Sequence, residues 1–190
     1  MLAKTFEVSK VESEEDLQAV GAFRYQCYLD EGLIAPQADE TFLDQYDFAP
    51  SANIFTIKSC GRIVGTIRLH ILTKDSHSSA TMTAFPDILM PKVSAGMTLI
   101  DGARFSVAPD LGSMRLPVAR RTLRLYAKFA EKHAVDFGVA SVRESHVKFY
   151  KRLWGFDQIA EPRPYGGLTE KLVLLGVDLR HDRQSNQEVA

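Results

Sequence analysis

The sequence predicts an α/β (α+β) domain built on a mixed central sheet flanked by helices. Three observations predict it. The second half runs in the order strand, loop, long helix, strand, short helix, strand. The first half supplies one amphipathic helix and two strands around the turn Ser59-Cys-Gly-Arg62. Apolar residues make up 45% of the 190 residues and charged residues 25%, enough for one sizeable core. A single domain over residues 1–180 and a polar C-terminal tail over 181–190 are expected.

The elements follow in order. Residues 3–9 alternate loosely and suit a first strand. Ser13-Glu-Glu-Asp16 caps a helix, because the Ser hydroxyl and the acids of the first turn satisfy free amides. Leu17, Val20, Phe23 and Cys27 then recur at helical spacing, and the helix stops near Gly32. Residues 33–50 are irregular and acidic, with Pro36 and Pro50. Residues 53–59 and 63–72 read as strands. Residues 73–97 read as a long polar connection holding Pro86 and Pro91, and loops of that length are often functional. Residues 97–107 form the central strand. A helix over about 117–134 opens on Pro117 and buries Leu116, Ala119, Leu123, Tyr126, Ala127 and Ala130. A strand over 137–142, a short helix over 147–153 ending at Gly155, and a strand over 171–179 complete the domain.

Composition also bounds function. The net charge of −1 points to neither nucleic acid nor a charged membrane surface. The start of the chain has no apolar leader, and no run is long enough to span a bilayer. Cys27 and Cys60 lack metal-ligand spacing, so no metal site is expected and a reduced, cytoplasmic setting is the simplest reading. Cys27, in an apolar helical context, reads as core.

The central strand holds the most informative stretch, Thr98-Leu-Ile-Asp-Gly-Ala-Arg-Phe-Ser-Val-Ala-Pro-Asp110. A buried ionisable group needs a partner, so Asp101 and Arg104 mark either a structural ion pair or a site. Arg24, Asp44, Asp47 and Arg68 also lie in or beside apolar segments. Such charge clusters concentrate at functional sites; a purely structural network is the alternative.

Phe149-Tyr-Lys-Arg-Leu-Trp-Gly-Phe156, at the end of the short helix, resembles the GNAT N-acyltransferases, although a Gly cap followed by a core Phe would look the same. The resemblance implies a three-layer fold whose central strands splay, with a donor's pantetheine arm in the gap. Backbone amides around Phe105, Ser106 and Val107 would hold the thioester oxyanion, and Tyr150 would protonate the departing thiolate. Tyr150 as a core aromatic is the alternative.

Ordinary GNAT enzymes grip the pyrophosphate of CoA with a Gly-rich loop before the long helix. Here that segment is Gly112-Ser-Met-Arg-Leu-Pro-Val-Ala119, with one Gly, two bulky side chains and a Pro that lacks an amide proton. The helix instead shows Arg120, Arg121, Arg124 and Lys128, and the short helix adds Lys151 and Arg152. These charges read either as a solvated face or as a docking patch for acyl carrier protein, which would deliver an acyl-phosphopantetheine as donor substrate. No bound cofactor is expected.

The first 110 residues sharpen the resemblance. Arg24 and Tyr28 on the first helix, Asp44 and Asp47 three apart, Arg68 on a strand, and Asp101-Gly-Ala-Arg104-Phe105 are similar to the pattern of acyl-homoserine lactone synthases. The related long-chain N-acyl amino acid synthases share much of it. The family acid is usually Glu where this chain has Asp101. The tryptophan that helps lactone synthases form the S-adenosylmethionine pocket is replaced by Gly32-Leu-Ile-Ala35, which favours the amino acid synthases. The resemblance therefore implies transfer of a long-chain fatty acyl group from acyl carrier protein to an amino acid amine. Asp101 would act as base, with Glu144 and His146 as rivals, and Arg68 or Arg104 would hold the acceptor carboxylate. The lipid product would allow peripheral membrane contact. A lactone synthase, an acetyl-CoA-dependent acetyltransferase and a non-catalytic acyl-binding module are the alternatives.

Overall fold

A computed structural model describes residues 6–180. The expected tail and the first residues of the first strand lie outside the described residues. The elements are β1 (Phe6–Lys10), α1 (Glu14–Asp30), β2 (Asn53–Ser59), β3 (Arg62–Leu72), α2 (Ala80–Ala84), α3 (Pro86–Ser94), β4 (Leu99–Val107), a 3-10 turn (Pro109–Met114), α4 (Arg115–Lys132), β5 (Phe137–Val142), a second 3-10 turn (Glu144–His146), α5 (Val147–Trp154), β6 (Asp157–Pro164) and β7 (Lys171–Asp178). The seven strands form one mixed sheet in the order β1-β2-β3-β4-β5-β7-β6. The described residues divide into two compact units, residues 6–69 with 104–127 and residues 70–103 with 128–180. Among the described residues no helix is long and apolar enough to cross a membrane.

In the first unit, α1 starts where the sequence places it. The Ser13 hydroxyl accepts from the Asp16 amide at 3.1 Å, and Glu14, Glu15 and Asp16 complement the helix dipole. Leu17, Val20, Gly21, Arg24 and Cys27 form its buried face. Leu17 and Val20 pack with Ile54, and a second cluster joins Ile57, Val64, Val107 and Val118. Two glycines set how closely elements approach. A Cβ at Gly65 would lie 3.0 Å from Val118 and 3.1 Å from Thr122, so β3 sits against α4 at backbone distance. A Cβ at Gly21 would lie 2.2 Å from the Thr41 hydroxyl and 2.9 Å from Leu43 Cγ. The Phe42 amide donates to the Gly21 carbonyl at 3.0 Å, so the acidic segment is laid directly on α1.

In the second unit, the stretch expected to be a loop contains two helices. Ser79 caps α2, accepting from the Met82 amide at 3.1 Å, and Pro86 occupies the first turn of α3, where its missing amide proton costs nothing. Leu89 and Val93 of α3 are buried. Of the two prolines that suggested a loop, Pro86 opens α3 and Pro91 lies inside it. The parallel ladder of β4 with β5 runs only from Leu99 against Phe137 to Gly102 against Ala140, although β4 continues to Val107. β5 pairs antiparallel with β7 over six residues, and β7 with β6. The sequence reading places no element over β6, which carries Pro162 and Pro164. The sheet order puts β6 at an edge, where proline is tolerated.

The stripe expected on α4 is partly out of phase. Val118, Thr122, Leu123, Tyr126 and Ala130 are buried, whereas Leu116 and Ala127 are exposed. Thr122 reaches the buried side because its hydroxyl donates to the Val118 carbonyl at 2.9 Å.

The Gly21 contact gives a signed prediction. Alanine in a free helix interior would stabilise by about 1 kcal/mol relative to glycine. Here Gly21→Ala should lower the melting temperature, since the clash with Thr41 and Leu43 costs roughly 1–3 kcal/mol. A raised melting temperature would show that the segment does not rest on α1.

Candidate active site

The segment after α1 makes a tight turn that aims two carboxylates the same way. The Asp47 amide donates to the Asp44 carbonyl at 2.9 Å, and the Asp44 amide donates to Asp47 Oδ2 at 2.9 Å. Asp44 Oδ1 also accepts from the Tyr46 amide at 2.9 Å, the self-closing habit of Asp in turns. The side chains are thus set before any arginine is considered.

Three guanidiniums meet this pair. Arg24, from the buried face of α1, donates through Nη1 to Asp47 Oδ1 at 2.7 Å. Arg68 of β3 bridges both acids, with Nη1 at 2.8 Å from Asp47 Oδ1 and 2.6 Å from Asp44 Oδ1. Its Nη2 donates to Asp44 Oδ2 at 3.2 Å. Arg104 of β4 donates to Asp44 Oδ2 through Nη2 at 2.6 Å and Nε at 3.1 Å. Arg24, Arg68 and Asp47 have fully buried side chains, and Asp44, 20% exposed, is the outward member. The Arg104 guanidinium also lies 4.3 Å from the centroid of Phe42, whose ring is 4.8 Å from that of Tyr28.

Arg104 adopts a left-handed backbone, with φ of 53°, inside a strand. A non-glycine residue there costs about 1–3 kcal/mol, offset by its hydrogen bonds to Asp44 and its stacking on Phe42. Beside it on β4, Ser106 is buried, and its hydroxyl has no hydrogen-bond partner among the described residues.

Electrostatics follow from the geometry. Burial by itself would raise the Asp44 carboxyl, but the hydrogen bonds and charge of Arg68, with those of Arg104, hold it far below the usual range. Asp47 is likewise lowered: burial opposes ionisation, and the charges of Arg24 and Arg68 overcome it. Arg24 is pulled down from its ordinary value by burial, against the attraction of Asp47 and with the repulsion of Arg68. Cys27, one turn further along α1, is a core thiol as expected. Burial, with Glu31 and Asp30 nearby, pushes it up to about 12, so it is no nucleophile.

Asp101 belongs to a separate hydrogen-bonded set in the second unit. It is fully buried, and its Oδ1 accepts from the Thr81 hydroxyl of α2 at 2.7 Å. Thr81 Oγ1 is in turn 2.9 Å from the Tyr165 hydroxyl and 3.3 Å from the Ser141 hydroxyl. Asp101 Oδ2 is buried with no hydrogen-bond partner among the described residues. Sequence reading finds Asp101 but none of its three hydroxyl neighbours.

The remaining candidates are placed as follows. Tyr150 is buried on α5, its ring edge-on to Phe149 at 5.7 Å and to Phe156 at 5.9 Å. Glu144 and His146 are exposed on their 3-10 turn. Arg120, Arg121, Arg124 and Lys128 are exposed on α4, and Lys151 and Arg152 on α5. Arg121 reaches the Phe6 carbonyl at 3.1 Å, and Lys151 pairs with Asp157 at 2.7 Å.

The charge network makes a pH-dependent prediction. Both acids have lowered folded values, so their stabilisation is present above the ordinary carboxylate pKa of about 4 and lost as pH falls toward the folded values. Asp47→Asn should cost about 3–5 kcal/mol at neutral pH, because it strips two buried guanidiniums of a counter-charge. In urea unfolding, the gap between the two proteins should narrow as pH falls below about 4. A gap independent of pH would contradict the pairing.

Comparison with known proteins gives one family and a set of related folds. The sequence model of the N-acyl amino acid synthase FeeM family matches residues 19–178. The solved structure of FeeM, an N-acyl amino acid synthase from uncultured soil microbes, is 16% identical; the match covers 96% of this chain and 95% of that one, with a TM-score of 0.79. The acyl-homoserine lactone synthase LasI is 19% identical over 94% of this chain and 92% of that one, with a TM-score of 0.69. The ribosomal-protein-S18-alanine N-acetyltransferase from Escherichia coli is 15% identical over 92% and 94%, with a TM-score of 0.61. At these identities the structural likeness shows the fold, that of GNAT-type acyltransferases. A comparison with curated proteins finds no match in sequence.

Proposed function

We propose, from the premise that this chain belongs to the N-acyl amino acid synthase FeeM family, that it moves a long-chain fatty acyl group from acyl carrier protein to the amine of an amino acid. That it is an acyltransferase follows from the family and the fold. The observation that carries the finer reading is the open donor capacity of the buried network. Arg24, Arg68 and Arg104 converge on Asp44 and Asp47. Nε and Nη2 of Arg24 are buried without a hydrogen-bond partner among the described residues. Desolvated guanidinium donors of this kind favour an anionic occupant. The carboxylate of an amino acid is such a group, and Arg68 or Arg104 offers it planar, bidentate donors.

The chemistry is aminolysis of a thioester. Asp101 Oδ2 accepts one proton from the acceptor's ammonium, freeing the nitrogen lone pair. The nitrogen attacks the carbonyl carbon, forming the C–N bond. Backbone amides around Phe105, Ser106 and Val107 stabilise the oxyanion. The C–S bond then breaks, and Tyr150 gives its proton to the leaving thiolate. The second proton that the nitrogen sheds passes through solvent to restore the Tyr150 hydroxyl, and Asp101 returns its own to solvent.

Two features support acyl carrier protein as donor. The residue at the third position of α4 is Pro117, which removes an amide from the place where a CoA pyrophosphate would be gripped. The exposed cations of α4 and α5 suit an acidic carrier and would act mainly on the rate of docking.

The test is mass spectrometry of lipid extracts from cells overexpressing the chain, beside Asp101→Asn. An N-acyl amino acid should appear with the intact protein and fall by ~10²–10⁴-fold in the variant, the usual worth of a general base. An acyl lactone would favour transfer to S-adenosylmethionine instead. No new lipid from the folded protein would overturn the reading.

A further inference from the structure

We propose that Thr81 is a positioning residue for Asp101, and that Tyr165 and Ser141 hold Thr81 to that task. The inference rests on Asp101 being the base. A carboxylate turns about a broad, two-fold χ2, so an unheld aspartate presents either oxygen. Here Thr81 Oγ1 lies 2.7 Å from Oδ1, a short, charge-assisted bond, whereas Oδ2 is buried with no hydrogen-bond partner among the described residues. A buried carboxylate oxygen without a donor is costly. Thr81 thus occupies one oxygen and leaves the other to receive the proton.

Proton counting fixes the direction of the set. An ionised carboxylate only accepts, and Thr81 has one hydroxyl proton, which goes to Oδ1. Thr81 Oγ1 must then accept from both Tyr165 at 2.9 Å and Ser141 at 3.3 Å. Two donors into one oxygen polarise its own O–H toward the carboxylate. The four residues come from β4, α2, β5 and the segment between β6 and β7. The short α2 is itself anchored, by the Ser79 cap on the Met82 amide and by the Phe85 amide on the Thr81 carbonyl at 3.0 Å. A hydroxyl held from so many directions serves as a fixed stop for the carboxylate.

The experiment compares Thr81→Val, which keeps the shape and loses the hydroxyl, with Thr81→Ser, which keeps the hydroxyl, with Tyr165→Phe, and with Asp101→Asn. Each is checked by thermal melting. Each is then assayed with palmitoyl-loaded acyl carrier protein and an equimolar mixture of the twenty amino acids, followed by the best acceptor alone. Thr81→Val should lose roughly ten- to hundredfold in kcat, with little change in KM for the acceptor, because the hydroxyl aims the base and does not bind substrate. Thr81→Ser should recover most of that loss, and Tyr165→Phe should lose less than Thr81→Val. Should Thr81→Val not fold, Tyr165→Phe carries the test: a kcat equal to that of the intact protein overturns the proposal. Full kcat in Thr81→Val beside an inactive Asp101→Asn overturns the positioning role alone. Equal losses in Thr81→Val and Thr81→Ser overturn it too, since packing would then be the cause. An active Asp101→Asn removes the base and the positioning role with it. A silent intact protein removes the acyl-transfer reading on which both stand.

Discussion

Asp44 and Asp47, three residues apart in one turn, tie together side chains from α1, β3 and β4. Arg24, fully buried, depends on Asp47, because an unpaired buried charge costs several kcal/mol. The acids in turn keep their place because the turn bonds its own backbone and because Gly21 lets the segment touch α1. Substitution at Gly21, Asp44 or Asp47 therefore disturbs the same object. The left-handed backbone at Arg104 is part of it, held where Asp44 and Phe42 require the guanidinium to be.

β4 carries both kinds of chemistry along one strand. Arg104 belongs to the charge network, and Asp101, three residues earlier, belongs to a set made of hydroxyls. The two environments differ in what they hold. The first brings guanidiniums and carboxylates together, and the second leaves one carboxylate oxygen buried without a hydrogen-bond partner among the described residues.

Much of this was legible in the sequence, for a definite reason. Charges inside apolar segments are rare, so Arg24, Arg68, Asp101 and Arg104 stood out before any geometry was known. Ser13 and Gly155 marked helix ends because their chemistry is local. Which acid meets which arginine was not legible, since Asp44 bonds partners 24 and 60 residues away. Thr81 and Tyr165 gave no signal at all: a hydroxyl in sequence looks like any surface polar group, and their separation of 84 residues hides the pairing. Phe42 was passed over as one aromatic in an irregular stretch. Pro86 and Pro91 misled at α3, because proline marks loops and also the first turn of a helix.

The most direct measurement is turnover of the best amino acid acceptor against its carboxamide, which keeps the amine and side chain and removes the negative charge. If the arginine cluster holds the acceptor carboxylate, kcat/KM should fall by roughly a hundredfold or more for the amide, since a buried charged donor set would face a neutral group. Equal turnover of acid and amide would contradict it and leave the network a structural device alone.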